Sequence, residues 1–198
     1  MQRKRKAQQG KKKKVETEMI PQYPEIAVFD LDYTVWPCHC DTHLDPPFKA
    51  VVEPNGETHT VYDSKGFKLS IYKDIPRILT DLKEKNVTLI SASRTWAPDI
   101  AMDLMRLFKI EYNGEIVSLW GLFDATEWGE RSKVGHINDA LRTLYGGVQD
   151  IRQYRMCLFD DESRNRDVER YGIKYIHVKD TRRGPSWELY QSYLEGKL

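Results

Sequence analysis

Short apolar runs alternate along this chain with segments whose apolar residues recur at helical spacing. Helices are predicted to begin after Asp74, near Pro98 and at Ser132, and the last of these is predicted to end at Gly146. Strands that alternate with amphipathic helices form a parallel sheet covered on both faces, so the pattern predicts an α/β fold. The five apolar runs predicted to be strands lie at residues 27–29, 87–91, 115–120, 155–159 and 175–178.

The stretch between the first strand and the first helix carries hairpin signals. Asn55-Gly56 stands between alternating apolar segments, which is typical of a tight hairpin, and a second turn is predicted at residues 63–66. We therefore predict a small antiparallel β flap over residues 48–72, inserted after the first strand and lying beside the acids that end it.

Size and composition fit one globular domain. The chain has 198 residues, of which 40% are hydrophobic. No apolar run approaches the ~20 residues needed to cross a bilayer, and the N-terminus lacks the apolar segment of a signal peptide. Three cysteines do not make a disulfide framework. These features predict a monomer of the cytoplasm or nucleus, with no membrane partner.

Positive charge is concentrated at the N-terminus. The whole chain carries a formal charge of +1 and residues 1–14 carry +8, so the remainder carries −7. A block of like charge cannot bury enough apolar surface to order itself, so we predict a disordered basic tail over residues 1–21 and a folded domain over residues 22–198. The tail fits a nuclear-import signal or a nucleic-acid contact, and it fits a purely solubilising role equally well.

Polar side chains cluster at the predicted strand ends. The first strand ends in Asp30 and Asp32, two carboxylates that repel each other and are costly to desolvate unless a cation lies between them. Mg²⁺ takes its ligands from one or two carboxylates, water and phosphate, so these acids predict a magnesium site. Basic and hydroxyl side chains beside such a site favour phosphate as the ligand. The other candidates at this edge of the sheet are Ser93, Arg94, Lys133, Asp160 and Asp161.

These residues resemble the four motifs of the haloacid dehalogenase (HAD) superfamily. The motif residues are Asp30-x-Asp32-x-Thr34-Val35, a serine after the second strand, a lysine, and Phe159-Asp160-Asp161-Glu162 with Asn165. Residues 29–37, 41–43, 46–47 and 92–95 further resemble the eukaryotic magnesium-dependent phosphatases, which are related to acid-phosphatase-like phosphotyrosine hydrolases. The resemblance covers roughly residues 24–180. It implies a HAD-like Rossmannoid sheet of about five strands without a large cap domain.

The resemblance also implies a role for each site residue. Asp30 would be the nucleophile that forms an aspartyl-phosphate, and Asp32 would be the general acid and base. Mg²⁺ would be held by Asp30, by the main-chain carbonyl of Asp32 and by Asp161. Lys133 and Ser93 would bind the phosphoryl oxygens. The arginine that follows this serine, Arg94, would bind the substrate or its phosphate.

Two of these assignments have close competitors. Asp160 and Asp161 both follow the fourth predicted strand, and we favour Asp161 as the metal ligand because it aligns better with the superfamily's acid and leaves Asn165 four residues on. Asp160 would then contact the metal-binding residues without binding the metal itself. Ser91 competes with Ser93 for the phosphate-binding position, and we favour Ser93 because a basic residue follows it directly.

The expected activity is hydrolysis of phosphomonoesters. The resemblance implies phosphotyrosine-like aryl phosphates, as small molecules or phosphopeptides, and sugar phosphates as substrates. The basic tail favours one alternative, a phosphatase that acts on nucleic-acid ends. The other alternative is a binding module that has the fold but no activity.

Overall fold

The computed structural model describes residues 20–198. Its strands are β1 (Ile26–Phe29), β2 (Lys49–Val51), β3 (Thr60–Tyr62), β4 (Lys68–Ser70), β5 (Thr88–Ser93), β6 (Lys109–Tyr112), β7 (Glu115–Ser118), β8 (Ala125–Trp128), β9 (Met156–Asp160) and β10 (Lys174–His177). Its α-helices are α1 (Cys40–His43), α2 (Ile75–Glu84), α3 (Pro98–Leu107), α4 (Leu119–Leu122), α5 (Lys133–Tyr145) and α6 (Trp187–Leu194). Two 3₁₀ segments lie at Ile151–Gln153 and Ser163–Tyr171. The predicted basic tail lies outside the described residues, apart from its last two positions.

A five-stranded parallel sheet forms the centre of the protein, in the order β10-β9-β1-β5-β8. Successive side chains of β1 point to opposite faces of the sheet. Ala27 and Phe29 join the larger apolar cluster, to which α2, α3 and α6 contribute, while Ile26 and Val28 join a second cluster that includes Ile137 of α5. The α/β fold with helices on both faces is thus confirmed.

The register of the central strands aligns their ends. Phe29 of β1 lies beside Ser91 of β5 and Phe159 of β9. The main-chain N–H of Asp30 continues this ladder by donating to the carbonyl of Phe159 at 2.9 Å. The residues that follow β1, β5 and β9 therefore meet at one edge of the sheet, where ligands bind in open α/β folds.

The strand predicted at residues 115–120 is not part of the central sheet. Glu115–Ser118 forms β7, which pairs antiparallel with β6, and the chain then enters α4. The fifth central strand is β8, which the sequence analysis missed. It occupies the edge of the sheet, where only Ala125 is buried, so its side chains show no run of apolar residues.

The predicted flap is confirmed as a three-stranded antiparallel sheet, β2-β3-β4. The side-chain hydroxyls of Thr60 in β3 and Ser70 in β4 form a hydrogen bond of 2.7 Å across this sheet. Next to β3, the main chain of Thr58 bonds in both directions with that of Lys109 at the start of β6. Within residues 20–198, no helix is long and apolar enough to cross a membrane.

Candidate active site

A small cavity opens at the edge of the sheet where β1, β5 and β9 end. Its volume is about 150 Å³. It is lined by residues from the ends of β1 and β5, from α1 and from the turn after β9. These residues are Asp30, Asp32, His39, Asp41, Ser93, Arg94, Thr95, Asp161, Glu162 and Arg164.

The side chain of Lys133 lies behind the cavity lining and pairs with two acids of the site. It is the first residue of α5, a helix capped by the Ser132 hydroxyl, and it is only 1% exposed. Its ammonium nitrogen lies 2.8 Å from a carboxylate oxygen of Asp30 and 3.2 Å from one of Asp160, and it donates to the carbonyl of Ala92. A buried ammonium is stable only with such partners, so this lysine fixes the two acids relative to each other.

Asp160 is completely buried and makes contacts within the protein through both carboxylate oxygens. The side-chain amide of Asn165 donates to its two oxygens at 3.0 and 2.9 Å. The carbonyl oxygen of the same amide accepts a hydrogen bond of 2.7 Å from Arg94. Asn165 therefore links the buried acid to an arginine that lines the cavity.

Three carboxylates could hold a divalent cation together. One oxygen each from Asp30, Asp160 and Asp161 lie within 4.8 Å of one another. All the donors are carboxylate oxygens, which is the ligand chemistry that Mg²⁺ prefers. Of the two acids after β9, Asp161 lines the cavity, whereas Asp160 is already bonded to Asn165 and Lys133. Of these two carboxylates, that of Asp161 is the one exposed to the cavity.

Desolvation makes these acids hold protons more tightly. Burial raises the pKa of Asp30 even though the Lys133 ammonium opposes the shift. Burial, together with the charges of Asp160 and Glu162, raises the pKa of Asp161 to about 6. Burial alone would lower the pKa of Lys133, but its two carboxylate partners outweigh it and the pKa is raised. A bound cation stabilises carboxylates that are buried and repel one another.

The carboxylate of Asp32 is held in a fixed direction. One oxygen accepts hydrogen bonds from the indole N–H of Trp36 at 2.7 Å and from the main-chain N–H of Cys40 at 3.2 Å. The ring of His39 lies 3.7 Å from the other oxygen. Burial raises the pKa of Asp32, although the hydrogen bonds from Trp36 and Cys40 oppose the shift.

The hydroxyl of Ser93 lies in the cavity wall and orients the loop after β5. It accepts a hydrogen bond of 3.3 Å from the main-chain N–H of Thr95. The carboxylate of Asp41 accepts one of 3.2 Å from the N–H of Trp96, which ties α1 to the same loop. Ser91, the competing serine, is fully buried in β5 and does not line the cavity.

The comparisons with known proteins agree on one family. The family model described as Acid Phosphatase matches residues 22–196. The chain is 56% identical over 176 residues to a Saccharomyces cerevisiae protein provisionally named a magnesium-dependent phosphatase, an alignment that covers 89% of this chain and 98% of the yeast protein. The chain belongs to the acid phosphatase family. This confirms its resemblance to the eukaryotic magnesium-dependent phosphatases of the HAD superfamily.

Another relative and a solved structure support this placement. Human magnesium-dependent phosphatase 1 is 35% identical over 158 residues, which cover 79% of each chain. The N-terminal part of a Bacteroides fragilis protein, which contains a phosphatase domain and was solved with Mg, superposes with a TM-score of 0.52 at 19% identity. The alignment covers 87% of this chain and 40% of the bacterial one, and at this identity it supports the fold alone.

Five residues that line the cavity were given no role in the site by the sequence analysis. They are His39, Asp41, Thr95, Glu162 and Arg164. Arg164 donates two hydrogen bonds to Glu162, at 2.8 and 2.9 Å, so the pair forms one polar side of the cavity. Their position in the sequence next to the motif residues could have indicated a place in the site, since Glu162 directly follows Asp161.

The flap is not part of the cavity wall. No residue of 48–72 lines the cavity, although Tyr72 at its end, whose pKa is raised by burial, lies near enough to Asp161 for that charge to raise the pKa further. Instead, Glu57 accepts a hydrogen bond of 2.8 Å from the N–H of Glu111 in β6, and Thr58 pairs with Lys109. These contacts hold the flap against the β6–β7 hairpin.

Proposed function

We propose that this protein hydrolyses phosphomonoesters in the presence of Mg²⁺ through a phosphorylated Asp30. Its family membership and the names of its relatives support the broader description, a magnesium-dependent phosphatase. One observation supports the more specific proposal, that Asp30 is the residue that is phosphorylated. The carboxylate of Asp30 lines the cavity while Lys133 holds it from below, so one face of this acid is available to a substrate.

The first half of the reaction is transfer of the phosphoryl group to Asp30. A carboxylate oxygen of Asp30 attacks phosphorus, and the bond between phosphorus and the leaving oxygen breaks. Asp32 gives its proton to that oxygen, so that an alcohol or phenol leaves. Asp30, Asp161 and the main-chain carbonyl of Asp32 would hold Mg²⁺, which when bound supplies positive charge that offsets the repulsion between carboxylate and phosphate.

The second half of the reaction is hydrolysis of the phosphorylated aspartate. Asp32, now a carboxylate, takes a proton from a water molecule as the water oxygen attacks phosphorus. The bond between phosphorus and the Asp30 oxygen breaks, which releases phosphate and restores both acids. The Trp36 and Cys40 hydrogen bonds keep Asp32 in place through both steps.

Cations and a hydroxyl around the cavity would bind the phosphoryl oxygens. Ser93 and Arg94 line the cavity wall, and the Lys133 ammonium lies beneath Asp30. The Arg94 guanidinium is held by Asn165, which leaves its other N–H groups for the substrate. A cavity this small admits the phosphoryl group and leaves the rest of an aryl or sugar phosphate outside it. A panel of phosphotyrosine peptides, sugar phosphates and 5′-phosphorylated oligonucleotides, compared by kcat/KM, would decide between the proposed substrates and nucleic-acid ends.

The basic test is hydrolysis of p-nitrophenyl phosphate with and without metal. We expect activity in Mg²⁺, its loss in excess chelator because the acid cluster then repels phosphate, and its return when Mg²⁺ is added back. Ca²⁺ serves as a control, since it forms a larger and less regular coordination shell and should not restore full activity. Full activity in chelator, or none in any divalent cation, would contradict the proposal.

The two acids after β9 can be separated by matched substitutions. We expect Asp161→Asn to raise the Mg²⁺ concentration for half-maximal activity on the order of 100-fold, because it removes a charged ligand from the cavity. Asp160→Asn should chiefly lower the free energy of unfolding, because Asp160 is buried against Lys133 and Asn165. Magnesium titrations and urea unfolding of both variants measure the two effects. The reverse pattern would make Asp160 the principal ligand.

A further inference from the structure

A second cavity, larger than the candidate active site, lies along β10 at the edge of the central sheet. Its volume is about 470 Å³, which is within the range of small-molecule sites. It shares no lining residue with the first cavity. Its walls come from β10, from the loop of residues 178–184 and from the start of α6.

Cations outnumber acids around this basic cavity. Arg166, Lys174, Lys179 and Arg183 line it, and Asp180 has the only side-chain carboxylate of its lining. Lys174 is engaged, because it donates to the main-chain oxygen of Leu198, which also lines the cavity. The carboxylate of Asp180 is itself engaged outside the lining, because it accepts a hydrogen bond from the N–H of Arg182 and lies 3.5 Å from its guanidinium. The cavity therefore has a net positive charge that its own acid does not cancel.

Two of these cations have no acidic partner within the described part of the chain. Among residues 20–198, Arg166 pairs with Glu169, while Lys179 and Arg183 make no ion pair. Lys179 and Arg183 flank Asp180 on the same loop and both are exposed. Unpaired Lys and Arg side chains at the rim of one cavity are the groups that bind phosphate.

The loop that carries them is fixed by the fold. The carbonyl of Asp180 accepts from the N–H groups of Arg183, at 3.1 Å, and Gly184, at 2.9 Å. The Tyr72 hydroxyl donates to the carbonyl of Thr181. Gly184 has φ +70° and packs so closely on Tyr72 that a Cβ there would lie 2.2 Å from the ring. A ligand would meet a preorganised loop and would not have to order it.

Part of the wall of the basic cavity is apolar. Leu189 of α6 contributes to it, whereas Tyr175 and Val178 are nearly completely buried and the Arg166 guanidinium lies over the Tyr175 ring at 4.9 Å. Ser186, whose hydroxyl caps α6, also lines the cavity. A bare phosphate would leave the apolar part of the wall unused, whereas the organic part of a phosphate ester or phosphonate would cover it.

We propose that the basic cavity is a second ligand site, which binds a small organic phosphate. Its phosphate lies at the rim between Lys179 and Arg183, and its apolar part lies against Leu189. The site is separate from the cavity that contains Asp30, and the inference holds whatever reaction takes place there.

The test uses the full chain and phenylphosphonate, whose carbon–phosphorus bond a phosphatase does not cleave. Excess chelator keeps the probe from the active site, where the acids repel it. Calorimetric titration should show saturable binding that is tighter than for inorganic phosphate and absent for benzyl alcohol. We expect Lys179→Ala/Arg183→Ala to weaken binding about tenfold or more. The control, Lys68→Ala, removes an exposed cation that lies outside the cavity and makes no contact with its acid, and should change the affinity less than about twofold.

Amide chemical shifts locate the probe. The expected result is that phenylphosphonate moves the signals of residues 174–189 and leaves those of Asp30, Ser93 and Asp161 in place. Both alanine variants should retain the wild-type rate with p-nitrophenyl phosphate, since neither alters the active site. Absence of saturable binding, equal weakening by Lys68→Ala, or shifts centred on Asp30 would each overturn the proposal.

Discussion

Replacement of Asp30 by asparagine is expected to lower kcat for phosphomonoesters on the order of 10⁴-fold or more, because the amide cannot form a phosphorylated intermediate. The protein should still fold, since asparagine has the same shape and Lys133 keeps its second partner, Asp160. The variant also removes a buried charge, so its melting temperature in chelator should equal or exceed that of the wild type. Initial rates and thermal unfolding measure the two expectations.

A matched control separates the nucleophile from the general effect of removing an acid. Asp41 also lines the cavity, and its contact is with the N–H of Trp96. Asp41→Asn should therefore reduce kcat/KM far less than Asp30→Asn. Incubation of the wild type with substrate followed by rapid acid quenching should trap phosphate on Asp30. Substantial activity of Asp30→Asn, or phosphate trapped on another residue, would rule out this acid as the nucleophile.

The second large effect is expected from Lys133→Met. The substitution keeps the length of the side chain but leaves Asp30 and Asp160 buried without their cation, which should lower the free energy of unfolding by about 3–5 kcal/mol. Activity should also fall on the order of 10²–10³-fold, because the charge that stabilises the transferring phosphoryl group is lost. Urea unfolding in chelator and initial rates in Mg²⁺ measure the two losses.

The stability loss in Lys133→Met should depend on pH in a defined direction. Without the ammonium, burial raises the pKa of Asp30 further above its unfolded value, so the folded state binds a proton that the unfolded state releases. Stability of the variant then falls as pH rises through and above about 4, and the difference from the wild type shrinks as pH is lowered. A loss that does not vary with pH would mean that packing, not charge, is responsible.

Two further variants test whether the loss comes from unpaired carboxylates. Adding Asp30→Asn to Lys133→Met should recover part of the stability, because one uncompensated charge is removed. Lys83→Met is the matched control, since Lys83 pairs with Asp124 near the surface. Its cost should stay below about 1 kcal/mol because solvent screens that pair. Equal losses in the two lysine variants would contradict the structural role given to Lys133.

The sequence was sufficient for the features that depend on local pattern. The local pattern predicted α2, α3 and α5 from their apolar faces, and four of the five central strands from short apolar runs whose side chains lie in the core on both faces of the sheet. The candidate residues Asp30, Asp32, Ser93 and Asp161 meet in one cavity because strand ends in a parallel sheet meet at one edge. Their roles in catalysis remain predictions until the variants are measured.

Other features depend on long-range packing and could not be predicted. β8 lies at a sheet edge and buries only one residue, so no apolar run marks it. The flap was placed beside the acids because it follows them in the chain, and no local pattern predicts its hydrogen bonds to β6, about 50 residues later. In the same way, nothing near Lys133 in sequence shows that its ammonium lies between Asp30 and Asp160.

The position of the flap decides which segments surround the cavity. None of its residues lines the cavity, so the flap forms no part of the cavity wall. The rim is instead made of short, tethered elements, with Asp41 bonded to the loop after β5 and Arg164 bonded to Glu162. A phosphate ester that enters the cavity would therefore meet side chains of α1 and of the turns after β5 and β9, which lie far apart in the sequence and are joined by these hydrogen bonds.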